Sequence, residues 1–475
     1  MLYTEEGVVC MDRAGTCGRV AFSRRIHNLR QSVGALSPRR LVREGTWIIA
    51  GHATVGVFGL LSVRVITELA PPVVFGGANL LIGMLALATH VLIAPITQTQ
   101  IRYHTVYEAG GCGDQYTGYI ARLAAASATA TIVLMIIGLL LWPDGKMGAG
   151  PTVPVWLALW ILVGTTKAVL MNRLNAERRQ RLFALWAASD TILVLVSTGV
   201  MLLLWPTVEG FLAGQVVGMA LAICFFGTPL LYSLVRGAGI NASSRQAARQ
   251  QVLSYGLPFI AFGILGWVSH LSERYVLAAY VDVAAVGQYA AAYAIASRLP
   301  LITSAVLNDL FRPILFTHEN QSDPVGAQRL FLGWLLVMAL SVAMLLALFM
   351  LLGDMVANVL LAESYREGAT EIMYWIAIGY SALALAQIVE NRVLSFEKSH
   401  ALIWSKLLGA TSNICIAIVT IPAFGVKGAA YASAIGLILQ LAVTILICTR
   451  LPKRTRAIDS SGGEGKQRHD QSRTC

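Results

Sequence analysis

Charge is scarce in this chain. Only 13% of its 475 residues are charged, whereas 56% are hydrophobic. A soluble chain carries roughly 25% charge, and a core this large cannot be hidden behind so little polar surface. Lipid is therefore the solvent for most of the protein. The seven cysteines, at positions 10, 17, 112, 224, 415, 448 and 475, are scattered, with no CxxC and no His at ligand spacing. That argues against a disulfide framework or a zinc site. No Walker A sequence occurs, which excludes ATP hydrolysis by that route. No span carries paired carboxylates or a His cluster suited to a metal, so no metal and no cofactor is expected. The N-terminus has no short apolar core with a small-residue cleavage site, so no removable signal peptide is expected.

What is present is a series of long apolar runs. Crossing ~30 Å of hydrocarbon takes ~20 residues, and runs of that length fall near 46–68, 73–96, 119–142, 153–174, 184–206, 209–235, 253–276, 284–312, 328–352, 369–391, 401–423 and 426–449. The expectation is an all-α integral membrane protein with about twelve transmembrane helices. The net charge of +11 sits in short segments between these runs, on no folded basic face, so nucleic acid is not an expected partner. With the N-terminal tail placed in the cytoplasm, the inner segments RLNAERRQR, RGAGINASSRQAARQ, FEKS and TRLPKRTR are all rich in Lys and Arg. The outer loops hold little beyond Lys146, Arg366 and Lys427, against Glu68, Asp144, Glu209, Asp354, Glu363 and Glu367. This bias puts both termini in the cytoplasm.

Two stretches echo each other. Leu61-Ser62-Val63-Arg64 matches Leu271-Ser272-Glu273-Arg274, and Gly77 matches Gly287, each at an offset of 210. Further on, Asn172-Arg173 recurs as Asn391-Arg392 at 219, and Trp186 as Trp404 at 218. These fall at equivalent points of two six-helix halves, a parallel repeat about an axis normal to the membrane. The expected organisation is a polar cytoplasmic tail (1–44), a first bundle (45–236), a cytoplasmic linker (237–252), a second bundle (253–450) and a basic cytoplasmic tail (451–475). The matched glycines would let the second helix of each half approach its neighbour closely.

An ionisable group at mid-bilayer costs roughly 2.5–3.5 kcal/mol, so such residues should face a cavity or a partner. Lys167 and Arg298 lie within spans four and eight, and Asp190 within span five. They fit either an interhelical ion pair, with Asp190 as the acid, or a positively lined lumen. Arg64 and Arg274, equivalent by the repeat, fit either snorkelling at the outer rim, with Glu273 facing water, or lining of the outer mouth. Being adjacent, Glu273 and Arg274 should not reach the same neighbour. His52 and His270 lie within spans one and seven, His270 four residues before Arg274; both are candidate coupling or counter-ion groups beside Asp190.

Three stretches carry a family likeness: VRVITELAPPVVFGGANLL, YGLPFIAFGILGWVSHLSERYVLAAYVDVAAVGQYAAAYAI and FGVKGAAYASAIG. Over residues 41–450 the chain resembles polysaccharide flippases of the multidrug/oligosaccharidyl-lipid/polysaccharide exporter superfamily. The resemblance implies two six-helix pseudo-repeat bundles around a central cavity that opens alternately to each face. It implies a non-enzymatic transporter in the bacterial cytoplasmic membrane, passing polyprenyl-diphosphate-linked oligosaccharide from the inner to the outer leaflet for lipopolysaccharide or exopolysaccharide assembly. Partners would be the lipid-linked glycan, membrane lipids, a glycan polymerase and glycosyltransferases. Lys167, Arg298, Arg64 and Arg274 would form a cationic lumen suited to a diphosphate. The alternatives are a multidrug or small-molecule exporter of the same fold, which would favour an acidic lumen, and a membrane-embedded glycan polymerase or ligase, which would need a long outer loop.

Overall fold

The computed structural model describes residues 38–141, 150–236, 242–320, 323–396 and 398–450. Most of the two expected tails, together with Asp144 and Lys146, lies outside the described residues. The protein is all-helical, and the helices follow the apolar runs. Span one is α1 (Pro38–Leu69). Span two is α2 (Pro72–Leu92) continued by α3 (Ala94–Ala109). Then come α4 (Gly113–Leu141), α5 (Val153–Ala176) and α6 (Gln180–Leu204). Span six is α7 (Val208–Ala222), a π-helical turn and α8 (Thr228–Arg236). The second half opens with α9 (Ala242–Gln251), a π-helical turn at Val252–Gly256 and α10 (Pro258–Tyr280). Span eight is α11 (Val283–Ala296) with α12 (Arg298–Asn320). It closes with α13 (Pro324–Leu360), α14 (Ala369–Ser395), α15 (Ser399–Phe424) and α16 (Val426–Thr449). Eleven of these helical segments are long and apolar enough to cross a membrane, and the bent pair Ser244–Gly256 with Pro258–Tyr280 makes twelve. The segment expected as a linker thus holds α9, which runs into span seven.

The two halves repeat each other. Leu69 and Tyr280 end their spans, Pro72 and Val283 start the next, Ala109 and Asn320 end it, and Pro324 follows Gly113 as the start of the third. Every one of these pairs stands 211 residues apart. Later, Ala176 and Ser395, and Gln180 and Ser399, stand 219 apart. The second offset is the one the sequence suggested; the first is one residue longer. Packing repeats too: α1 lies on α6 as α10 lies on α15, and α4 on α5 as α13 on α14.

Where the halves meet is written in the glycines. A Cβ on Gly76 would lie 2.0 Å from Val283 O, and one on Gly287 would lie 2.0 Å from Pro72 O. The contact is reciprocal, as at a two-fold axis, and only glycine admits two backbones this close. The structure therefore pairs Gly287 with Gly76, where the sequence pointed to Gly77.

We call the end of the bundle carrying the 176–180, 320–324 and 395–399 turns the basic face. At the opposite face one hydrophobic core runs through both halves, from Val63, Phe75 and Phe211 to Tyr365 and Ile372. Towards the basic face separate clusters take over, one around Trp186 in the first half and one around Trp334 in the second. The halves share the core at the opposite face. At the basic face a smaller cluster joins them as well, with Tyr107 and Tyr116 of the first half packed with Ala248 of α9. Each half also closes its basic end with an arginine whose side chain is little exposed, 11% in the first half and 10% in the second. Arg173 donates to Glu177 and Asp114, both at 2.6 Å. Its repeat counterpart Arg392 pairs with Glu319, with Phe396 under the guanidinium at 5.0 Å.

Candidate functional site

The residues selected from the sequence fall into three places, and the first is the opposite-face seam. Arg64 donates to Leu361 O at 2.6 Å and pairs with Glu68 one turn on, at 2.8 Å. Nearby, Ala362 N–H donates to Thr67 Oγ1, and Tyr365 OH to Ala70 O at 2.7 Å. This stitches α1 to the segment joining α13 and α14. Arg64 is half-exposed there.

The second place is the interior side of α10. Glu273 is fully buried and Arg274 nearly so, at 0% and 6% exposure, which replaces the expected water-facing Glu273. Glu273 accepts from Tyr289 OH at 3.0 Å. Arg274 donates to Asn79 Oδ1 at 3.0 Å and lies over the Tyr293 ring at 4.6 Å. Tyr293 OH meets Tyr380 OH at 2.5 Å, and Tyr380 OH meets His270 Nδ1 at 3.1 Å. The adjacent pair does reach one neighbour after all. Tyr289 and Tyr293 are one turn apart on α11, so each takes a different member. One Glu273 oxygen and Arg274 Nε have no hydrogen-bond partner among the described residues.

Arg274 and Arg64 are therefore not equivalent. At the 211 offset the counterpart of Arg274 is Val63, which is buried, and that of Arg64 is Tyr275. One residue along a helix turns a side chain by ~100°, enough to send one arginine to the seam and the other inside.

The third place is the basic-face half of the interior. Arg298 reaches from α12 onto α1, donating to Val55 O at 3.2 Å. Its guanidinium occupies the space a side chain at Gly59 would fill. Among the described residues it has no acid within ion-pair distance. Further along the same seam His52 Nε2 faces Asp309 Oδ2 at 3.4 Å, both partly exposed. In the first half Lys167 pairs with Asp190 at 2.9 Å between α5 and α6, their side chains 24% and 17% exposed. Of the two readings of Lys167, the interhelical ion pair is the one present, and Asp190 Oδ1 is left without a partner.

The sequence-selected residues thus do not converge on one lumen. Arg274 and His270 share a cluster, Lys167 shares a pair with Asp190, His52 and Arg298 share the α1–α12 seam, and Arg64 stands apart. The tyrosines at 289, 293 and 380 went unselected, although the four-residue spacing of the first two was visible in VGQYAAAY. No metal-binding cluster occurs among the described residues.

No family model matches the chain, and no curated protein matches it by sequence. Solved structures do. A mutant of the Vibrio cholerae MATE transporter VcmN superposes with a TM-score of 0.62 at 13% identity, over 91% of this chain and 98% of that one. The lipid II flippase MurJ in an inward closed conformation gives 0.64 at 10% identity, over 85% and 88%. A MOP superfamily transporter from Pyrococcus furiosus, described as having a binding pocket of reverse polarity that suggests a different function, gives 0.60 at 12%, over 86% and 94%. The chain has the twelve-helix fold of these transporters.

Proposed function

We propose that this protein is a multi-pass membrane transporter working by alternating access, and that its substrate is an oligosaccharide carried on a polyprenyl diphosphate. The fold supports the transporter reading. The observation that carries the substrate is Arg298: a guanidinium in the basic-face half of the interior, set in a glycine notch and facing no acid among the described residues. Burying a cation without a counter-charge is costly, and a bound diphosphate would supply that charge through strong N–H···O contacts. With the basic face cytoplasmic, as the Lys and Arg bias implies, Arg298 lies in the half of the interior nearer the side where such a lipid is made.

The test is transport of a fluorescent polyprenyl-diphosphate oligosaccharide into proteoliposomes. Arg298→Gln keeps a donor for Val55 O but loses the charge, and transport is expected to fall at least about tenfold. Native rates in that variant would remove Arg298 from the substrate path. Orientation is tested in cells: a cysteine at Arg366 should be labelled from outside and one at Arg179 should not.

A second reading has one observation in its favour. Lys167 is neutralised by Asp190, so the first half carries no surplus cation at this place. That would suit an exporter of organic cations. Export of a cationic dye that depends on Asp190 and ignores Arg298 would select it.

A further inference from the structure

The interior side of span seven reads along a single stripe. Phe259, Phe262, Gly266, His270, Glu273 and Leu277 follow one another at intervals of three or four residues, so they share one face of α10. The opposite-face half of that stripe is covered, since Glu273 and Leu277 are fully buried. The basic-face half is not. Phe259 and Phe262 are half-exposed, and the position of Gly266 opens onto empty space.

The rings here form a continuous run. Tyr103 of α3 stands edge-on to Tyr255 at 5.8 Å, Tyr255 meets Phe259 at 5.4 Å, and Phe259 meets Phe262 at 6.4 Å. At its mouth Arg102, exposed on the basic face, lies over the Tyr255 ring at 4.7 Å. An aromatic belt at the headgroup level would face lipid. This run shares its helix face with His270 and Glu273, which bond to α14 and α11, so it faces the interior of the second half. At its basic-face end it meets Tyr103 of the first half.

We propose that Tyr255, Phe259 and Phe262 are a stacking track for the sugar rings of the transported glycan, with Arg102 meeting the diphosphate at its entrance. The inference rests on the flippase reading above and adds to it where the glycan, as distinct from the phosphate, is held. The chemistry on the page favours this occupant. Flat rings in series bind the apolar faces of pyranoses without demanding one hydroxyl pattern, and an exposed cation at the mouth complements a phosphorylated carrier. An acyl chain has no use for that cation.

Two probes separate the outcomes in proteoliposomes holding the full-length protein. One is a fluorescent polyprenyl diphosphate bearing a trisaccharide, and the other is the same diphosphate without sugar. Phe259→Leu with Phe262→Leu keeps apolar volume and removes the rings, while the Phe259→Tyr with Phe262→Tyr variant keeps the rings. The Leu pair should slow the trisaccharide probe about tenfold, the scale of lost ring stacking, and leave the bare diphosphate within about twofold. The Tyr pair should move both at native rates. An equal loss on both probes in the Leu pair would overturn the track in favour of an apolar wall, and no loss on either would overturn it outright. If the native protein moves neither probe, the flippase reading falls and takes the track with it.

Discussion

The two halves are alike where they fold and unlike where they face each other. Arg173 and Arg392, at matching turns of the repeat, both set a guanidinium at the basic face against acids from a neighbouring helix end. The interiors have parted company. The first half holds a partly wetted Lys167–Asp190 pair between α5 and α6. The second has a pair between the equivalent helices, Lys406–Glu390, and adds a cluster of Glu273, Arg274, His270 and three tyrosines. Charge kept in both halves closes turns and ties neighbouring helices. Charge present in one half only is where a fold built by duplication has room to differentiate.

The clamps give the largest expected effect. Glu319 is nearly buried, with 6% of its side chain exposed, so Arg392→Met takes a paired cation from a carboxylate that meets little water. That should cost about 3–5 kcal/mol, read as early thermal unfolding in detergent. Arg173→Met should cost less, because Glu177 keeps Arg179 at 3.1 Å and Asp114 is half in water. Equal losses would mean that the two clamps are held by packing and not by charge.

The axis comes next. Gly287→Val puts a side chain against the Pro72 carbonyl, and Gly76→Val does the same at Val283. Either should lose about 1–3 kcal/mol by overpacking, and by similar amounts, since the contact is reciprocal. Gly138→Val, which would meet nothing within 4 Å, is the control and should stay near the native melting temperature. A large difference between the Gly76 and Gly287 variants would break the symmetry.

These two comparisons also mark what the sequence made legible. All twelve spans were readable because hydrocarbon imposes length and apolarity on each one independently. The later repeat offset of 219 was readable from Asn172-Arg173 and Asn391-Arg392, which do the same work in both halves. The earlier offset was read as 210 because LSVR and LSER align best that way. The helix ends and the Gly76–Gly287 contact put it at 211. A one-residue slip hardly moves a span boundary, yet it rotates a helix face by ~100°. That is why the architecture came through and the equivalence of Arg64 with Arg274 did not. Partners were less legible still. Tyr289, Tyr293 and Tyr380 come from two helices and converge on a third, and one chain alone records no such proximity.

The interior of the first half offers a milder test. Lys167→Met strands Asp190 in a partly wetted site and should cost about 1–2 kcal/mol. Adding Asp190→Asn should return the melting temperature to near the native value. Transport should stay low in the double variant if the pair does more than hold α5 to α6. Full recovery of transport would reduce it to a structural bridge and leave the second half as the only differentiated interior.

The smallest effect is the response of the first-half clamp to acid. Burial alone would raise the Glu177 carboxyl. The His104 ring at 3.5 Å, the hydrogen bond from Arg173 and the charges of Arg173 and Arg179 outweigh that and hold it at about 2, against an ordinary 4.5. A depressed folded value means the stabilisation is complete above about pH 4.5 and is lost as pH falls towards 2. Thermal melts of the native protein should therefore drop across that window by more than those of Glu177→Gln, whose amide does not titrate. At neutral pH the order reverses, with the variant less stable because it has given up the ion pairs. Parallel curves for the two proteins would place the acid sensitivity elsewhere and leave the two clamps differing in burial but not in charge.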